Sequence, residues 1–400
     1  MLTGKHVILC VSGSIAAFKA ADLASKLTQA GAIVDVAMTS RASEFVSPLT
    51  FRSLTHRPVI RDIFDAGSEL SIGHVALAEA ADIVVIAPAT ANTIAKIANG
   101  LADDAVTCIV LATRAPILIA PAMDANMYQS PATQHNVAIL AERGVVQVGP
   151  ASGRMSSGLT GMGRMAEVPE IVGMVHKVLG QKGDLAGKKI VVTAGGTQEP
   201  IDPVRVITNR SSGKMGYALA EAARDRGAEV VLVTTPTALP RPVGVQAVPV
   251  ESVAQMREAV LSACKGADAL IMAAAVSDFR PAQVADQKIK KNPQDEGLSL
   301  PLVKNPDFFV EVPKGVLRIG FAAESEHLLD NARAKLKTKD MDLIVANDIM
   351  ANDSGFGVDT NRVTILDRQG KADELPLMQK YDVAHRILDR VAKLLALRSP

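Results

Sequence analysis

The chain has 400 residues, more than one hydrophobic core usually serves, so two domains are the natural expectation. Its 43 Lys and Arg balance 42 Asp and Glu to a net charge of +1, leaving no field to draw nucleic acid or an anionic membrane. Hydrophobic residues make up 48% of the chain but aromatics only 3%, with no Trp, which excludes base-stacking platforms and leaves small molecules as the expected partners.

No apolar run reaches the ~20 residues of a membrane-spanning helix. The opening KHVILCV is too short, and too soon broken by SGS, to read as a signal peptide. Cys10, Cys108 and Cys264 lack CxxC spacing, so they read as small buried hydrophobes rather than as a disulfide framework or zinc site. A cytoplasmic location is the expectation.

Short apolar runs bounded by Gly, Pro or Thr alternate with amphipathic stretches, the pattern of a parallel sheet covered on both faces. VILCV is the first strand, and the periodicity predicts a helix over 15–30, stopped by Gly31. AIVDVAMT, DIVVIAP and PILIAP follow as strands, with a helix over 132–143 stopped by Gly144. Residues 180–188, GQKGDLAGK, carry three glycines among charges and read as a linker. The plan then restarts: KKIVVTAGGT resembles KHVILCVSGS, and GADALIMAAAVSD resembles AADIVVIAPAT. An amphipathic helix over 378–397 closes the chain. The expected fold class is α/β, with two tandem doubly wound, Rossmann-like domains over 1–182 and 183–400.

In both halves a strand ends in a Gly-rich turn before a helix, where backbone N–H groups can cradle an anion, although glycine serves equally well simply to turn the chain. Neither SGSIAA nor AGGTQEP supplies G-x-G-x-x-G, and the second strands run into AMTS and VTTP without an acid for a ribose. This argues against a nicotinamide oxidoreductase. Ser12, Gly13 and Ser14, then Thr39 and Ser40, then Pro88 to Asn92 all fall at carboxyl ends of predicted parallel strands, the ligand-binding edge of such sheets. Each Ser, Thr and Asn is also a competent helix cap. Their convergence on one edge favours a site.

VSGSIAAFKA, IGHVALAEAADIVVIAPATANTIAKIANGLADD, APAMDANMY and GMGRMAE together resemble the flavin-dependent cysteine decarboxylases, in particular phosphopantothenoylcysteine decarboxylases, over about residues 5–167. The resemblance implies a flavodoxin-like first domain holding FMN through Ser12, Gly13, Ser14, Thr39, Ser40, Thr90, Asn92 and Met123, often across a subunit boundary, and hence a homo-oligomer. It also implies that His74 is the catalytic base; alone in SIGHVALA, this histidine would read as a helix-start or interface residue. A base removes the thiol proton while a hydride leaves the adjacent carbon, and the resulting thioaldehyde is the electron sink for loss of carbon dioxide. Two positions depart from the family pattern. Asp124 replaces the Asn of PxMNxxM, and Ser157 stands where a cysteine reprotonates the product. A protonated Asp124 is a candidate replacement donor. The rival reading is a flavin-binding half impaired in turnover.

In the second half TAGGTQEPIDPVR, ITNRSSGKMG, MAAAVSDFRP, KIKK, KNPD, GFAAE and VANDI resemble the phosphopantothenate-cysteine ligases, over about residues 188–393. Fusion in this order resembles the bacterial bifunctional enzymes of coenzyme A biosynthesis. A carboxylate resists attack by an amine until nucleotidyl transfer turns its oxygen into a leaving group. Gly195, Gly196 and Thr197 offer donors to phosphate. The resemblance gives Asn209 and Arg205 to the acyl-nucleotide intermediate, and Ala273, Ala274, Ala275 and Asp278 to cytosine and ribose, implying CTP over ATP. It gives Lys288, in a flap rich in Lys, Gln and Asp, to conversion of the intermediate, and Lys335 and Lys339 to the triphosphate. Pro306, Asp307, Phe308, Phe309 and Phe321 complete the expected substrate site, with a solvated basic run the rival for Lys288 and a core position the rival for Phe321. Mg2+ is expected to bridge the triphosphate without protein ligands of its own. The expected partners are 4'-phosphopantothenate, cysteine and CTP.

Overall fold

The computed structural model describes residues 2–61, 73–156, 158–290, 297–324, 328–348 and 357–398, and every count or absence below refers to these. The chain divides into two compact units, Met1–Leu179 and Gly180–Pro400.

The first unit contains β1 (His6–Val11), β2 (Ile33–Met38), β3 (Val59–Ile60), β4 (Ile83–Ala89), β5 (Ile117–Pro121) and β6 (Val146–Gln147), and a hairpin of β7 (Ala151–Arg154) and β8 (Thr160–Arg164). β1 to β6 form one parallel sheet in the order 3-2-1-4-5-6. Without the two-residue edge strand β3, the order counted along the chain is 2-1-3-4-5, the flavodoxin-like arrangement. Val7, Leu9 and Val11 pack into one core with the helix Ala17–Gln29, while Ile8 and Cys10 pack into a second core on the opposite face with Ile86 and Ile94. Burial on both faces is why β1 reads as an unbroken apolar run rather than an alternating one. It also pushes the Cys10 thiol far above its ordinary range, as expected of a structural cysteine.

The second unit adds β9 (Lys189–Ala194), β10 (Gln198–Pro200), β11 (Val206–Thr208), β12 (Glu229–Thr234), β13 (Gln246–Pro249), β14 (Ala269–Met272), β15 (Phe279–Pro281), β16 (Leu302–Lys304), β17 (Leu317–Glu324), β18 (Leu343–Asp348), β19 (Thr360–Asn361), β20 (Val363–Asp367), β21 (Ala372–Glu374) and β22 (Met378–Gln379). Its main sheet runs 13-12-9-14-17-18-20-21. The six parallel strands repeat the order of the first unit, and β20 and β21 extend it antiparallel. The resemblance of β1 to β9, and of β4 to β14, thus marks equivalent sheet positions. Helices Lys214–Arg224 and Lys380–Arg398 cover one face, and Val253–Ala263 and Leu328–Thr338 the other. β22 occupies the start of the stretch expected to be helical, so the last helix begins at Lys380.

The Gly-rich segment 180–188 is not a free tether. Leu185 is fully buried in a core of the second unit, and its N–H donates to the Arg226 carbonyl at 3.1 Å. A Cβ on Gly180 would lie 1.9 Å from the Asp225 carbonyl oxygen, and one on Gly183 2.4 Å from that of Arg226, so these glycines permit close packing rather than flexibility. Arg226 ties the segment down through Asp184 and reaches Asp389 and the His385 carbonyl, each at 2.9 Å, on the last helix.

Candidate functional site

In each unit the connections leave neighbouring strands in opposite directions at one point, between β1 and β4 and again between β9 and β14, and ligands of such sheets bind at that crevice. In the first unit the buried Ser12 donates its hydroxyl to the Pro88 carbonyl at 2.7 Å and accepts the Thr90 N–H at 3.1 Å. Thr90 caps the helix Ala91–Asn99 by accepting from the Thr93 N–H. The Thr39 N–H donates to the Val11 carbonyl at 3.0 Å, and its hydroxyl accepts from Ala42. A Cβ on Gly13 would lie 2.6 Å from Arg41 Cβ, so the turns after β1 and β2 touch. Ser12, Gly13, Ser14, Thr39 and Thr90 are therefore gathered at one edge, with Ser40 exposed on the turn after β2 and Asn92 exposed in the first turn of the helix Ala91–Asn99. Ser14 is turned toward its own helix start, its hydroxyl accepting from Ala16 N–H at 3.2 Å.

Met123 follows β5 and donates its N–H to Gly163 in β8 at 3.0 Å. A Cβ on Gly163 would sit 2.3 Å from the Met123 carbonyl oxygen, which shows how closely the hairpin lies on this loop. Asp124 caps the helix Ala125–Gln129, accepting the Asn126 N–H at 3.0 Å. Asn is an equally good N-cap, so the departure at 124 keeps the local backbone. Ser157 lies outside the described residues. His74 belongs to the helix Gly73–Ala80, and its side chain lies outside them.

In the second unit a cavity of about 710 Å³ opens at the carboxyl edge of the sheet. Asn209, Ala273, Ala274, Ala275, Asp278, Pro306, Asp307, Phe308, Phe309, Phe321, Lys335 and Lys339 all line it. The Asn209 amide donates to the carbonyls of Ala275 at 3.4 Å and Val276 at 3.2 Å. Lys339 pairs with Asp307 at 2.9 Å. Phe308, Phe309 and Phe321 also pack against the cores, so the core and lining readings hold together. Arg210, Lys214, Lys335, Lys339 and Lys380 face the cavity against the carboxylates of Asp278 and Asp307, which favours an anionic ligand.

Five expected residues are not part of this lining: Gly195, Gly196, Thr197, Arg205 and Lys288. Thr197 is fully buried; its N–H donates to the Ala275 carbonyl at 3.2 Å and its hydroxyl accepts from Ser277 at 2.9 Å. The GGT turn thus fastens the chain after β9 to the chain after β14. Gly195, at φ +86°, would place a Cβ 2.0 Å from Thr235 Oγ1, and Gly196 one 2.6 Å from the Asn209 carbonyl, so both serve close approach. One helix N-terminus that does reach the cavity is that of Lys214–Arg224, preceded by Ser211, Ser212 and Gly213. SSGK directly before an amphipathic run is a readable helix-start signal. Asn347, also in the lining, lies on β18 within the VANDI run, whereas Asn361 on β19 and Lys380 at the start of the last helix had no motif to announce them.

The Lys288 segment is fastened rather than loose over residues 285–289. Asp202 accepts backbone N–H groups from Val204 and Arg205, both at 2.8 Å, and from Ile289 at 3.1 Å. Arg205 donates to the Ile289 carbonyl at 3.3 Å, and Ala285 N–H reaches the Ile201 carbonyl at 3.0 Å. Burial alone would raise the Asp202 carboxyl, but the three backbone donors outweigh it and hold it below the usual carboxylate range. Lys288 itself is exposed. Among the described residues no three His, Cys, Asp or Glu side chains are grouped to hold a metal ion, and no helix is long and apolar enough to cross a membrane.

Residues 1–180 match the family described as Flavoprotein, and residues 185–395 the family described as DNA/pantothenate metabolism flavoprotein C-terminal domain. The coenzyme A biosynthesis bifunctional protein CoaBC of Bacillus subtilis (strain 168) is 48% identical over 400 residues, covering 98% of each chain. Its namesake in Escherichia coli (strain K12) is 42% identical over 397 residues, covering 98% of this chain and 97% of its own. A crystal structure of the C-terminal domain of a CoaBC protein shares 41% identity, covers 54% of this chain and 98% of its own, and superposes with a TM-score of 0.46. The chain belongs to the CoaBC family of bifunctional coenzyme A biosynthesis proteins.

Proposed function

We propose that the second unit joins 4'-phosphopantothenate to cysteine at the expense of CTP, and that the first decarboxylates the product to 4'-phosphopantetheine with FMN. As a member of its family the chain is a bifunctional enzyme of coenzyme A biosynthesis, a decarboxylase joined to a ligase. The observation that carries the ligase assignment is the cavity at the β9/β14 crevice, where Asn209, Ala273 to Ala275, Asp278, Lys335 and Lys339 meet.

The substrate carboxylate attacks the α-phosphorus of CTP and pyrophosphate leaves. The cysteine nitrogen then attacks the acyl carbon, forming the C–N bond as the C–O bond to CMP breaks. Asn209, held by two backbone carbonyls, orients the acyl-cytidylate. Lys335 and Lys339 neutralise the triphosphate, and Mg2+ would supply further positive charge there when bound. Arg205 and Asp202 position the segment from which Lys288 reaches the developing charge.

The first crevice suits a phosphate-bearing cofactor, because the starts of the helices Ala17–Gln29 and Ala91–Asn99 follow the two turns that Ser12 joins. Ser12, Gly13, Ser14, Thr39, Ser40, Thr90, Asn92 and Met123 would hold FMN, which when bound supplies a hydride acceptor. His74 takes the thiol proton, and Asp124 or a nearby water returns one to carbon after carbon dioxide departs. The enzyme works in the cytoplasm as a homo-oligomer.

Purified full-length protein tests these assignments: a yellow flavin spectrum, CTP-dependent pyrophosphate release with 4'-phosphopantothenate and cysteine, then release of carbon dioxide. Equal rates with ATP would remove the cytidine assignment. Absence of pyrophosphate release would remove the ligase.

A further inference from the structure

The cationic wall of the second-unit cavity is divided between opposite faces of the sheet. Lys335 and Lys339 approach with the helix Leu328–Thr338, on the face that also carries Phe308 and Phe309. Lys214 and Lys380 approach from the other face, each as the first residue of its helix, Lys214–Arg224 and Lys380–Arg398. Two ammonium groups and two helix N-termini therefore converge on one floor of the cavity, and each helix of this length carries about half a positive charge at its start.

The floor is built rather than incidental. Lys214 Nζ donates to the Gly357 carbonyl and pairs with Asp359, both at 2.7 Å. Lys380 Nζ donates to the Val358 carbonyl at 2.5 Å, and its backbone N–H to the Asp359 carbonyl at 2.9 Å. Lys380 is only 6% exposed, and Asn361, 3% exposed, lies beside it in the lining. Burial, and then Lys214, push the Lys380 ammonium below its ordinary range while Asp359 acts against them, and a bound anion would act in the same sense as Asp359.

We propose that Lys214 and Lys380 form a second oxyanion seat in this cavity, one that takes a phosphoryl group separately from Lys335 and Lys339. The proposal rests on the ligase assignment, whose two phosphorylated substrates require two places for phosphate in one chamber. The occupant is either a phosphoryl group of the nucleotide or the terminal phosphate of 4'-phosphopantothenate. Lys214 and Lys380 are binding residues in either case.

Calorimetric titration of the full chain with CTP, 4'-phosphopantothenate and inorganic pyrophosphate, each alone, tests the seat in Lys214→Gln and Lys380→Gln. The expected result is at least a tenfold loss of affinity in both variants for one substrate, with the other within twofold of the parent, and the ligand lost identifies the occupant. Both variants binding both substrates within twofold of the parent would overturn the seat. Lys380 is buried and its variant can lose stability, so thermal unfolding is followed in parallel. The half-buried Lys214 decides the matter alone if Lys380→Gln unfolds, and Lys380→Arg should recover most of the affinity. A parent protein that binds neither substrate would instead overturn the ligase assignment. The seat would then survive only if the parent bound pyrophosphate and Lys214→Gln did not.

Discussion

At the first crevice Ser12 joins the turn after β1 to the turn after β4, through Pro88 and Thr90; at the second, Thr197 joins the turn after β9 to the turn after β14, through Ala275 and Ser277. The same hydroxyl fastening recurs at the same sheet position, yet the connections that follow differ. After β1 only residues 12–16 precede the helix, so the fastening turn and the helix N-terminus are one feature. After β9 the chain runs through residues 195–213, including the β10/β11 pair, before the helix Lys214–Arg224 begins. The Gly-rich turn is a buried clip, and Ser211 to Lys214 line the cavity. The length of the first crossover decides which turn leads into the helix start at the crevice.

The largest effects should separate the two crevices by function. His74→Asn is expected to lower carbon dioxide release by about a thousandfold while ligation continues, because linked domains with their own cores lose function independently. Equal loss of both activities would show the units to be coupled. Asn209→Ala should leave decarboxylation of supplied phosphopantothenoylcysteine intact and slow ligation by about a hundredfold, a typical loss for one positioning contact. Normal ligation would make the NRSSG block structural.

Removing the fastenings tests the comparison more finely. Ser12→Ala takes away the acceptor of the Thr90 N–H, and Thr197→Val that of the Ser277 N–H, each costing about 1–3 kcal/mol for a buried donor left unpaired. Calorimetry should show each variant shifting the melting of its own unit only. A common shift in both would contradict two independent clips.

The strands at the centre of both sheets were legible because β1, β4, β9 and β14 are short apolar runs buried on both faces. Two-residue strands such as β3, β6 and β22 carry no such signal, and their place is set by pairing with a neighbour. The segment 180–188 was opaque for a related reason. Its glycines look the same in a loose tether and in a close contact, and the contacts that decide between them involve Arg226, distant in sequence. Turn residues at strand ends could be assigned to an edge from sequence, whereas Asn361 and Lys380 reach the cavity only where β19 pairs with β22 ahead of the last helix. A lysine opening a helix reads as solvent-exposed until the fold closes over it.

The smallest expected effect concerns the loop that carries Lys288, which is anchored by Asp202 from the long first crossover of the second unit. Asp202 holds that loop by accepting the Ile289 N–H while it also accepts from Val204 and Arg205. Its folded carboxyl lies below the ordinary value, so the stabilisation it supplies is present above the unfolded value of about 3.9 and fades as pH falls through the lower folded value. At neutral pH the anchor is fully engaged, and acid alone should not loosen the loop until the carboxylate begins to protonate. Asp202→Asn brings part of that loss to pH 7, because the amide keeps one acceptor oxygen but replaces the other with a donor facing backbone N–H groups. Ligation should fall only about threefold, since Asn209 and the cavity lysines stay in place, while trypsin should cut after Lys288 or Lys290 faster than in the parent. Carbon dioxide release from supplied phosphopantothenoylcysteine should not change. Unaltered cleavage together with unaltered ligation would show that Asp202 stabilises its own turn and has no part in presenting Lys288.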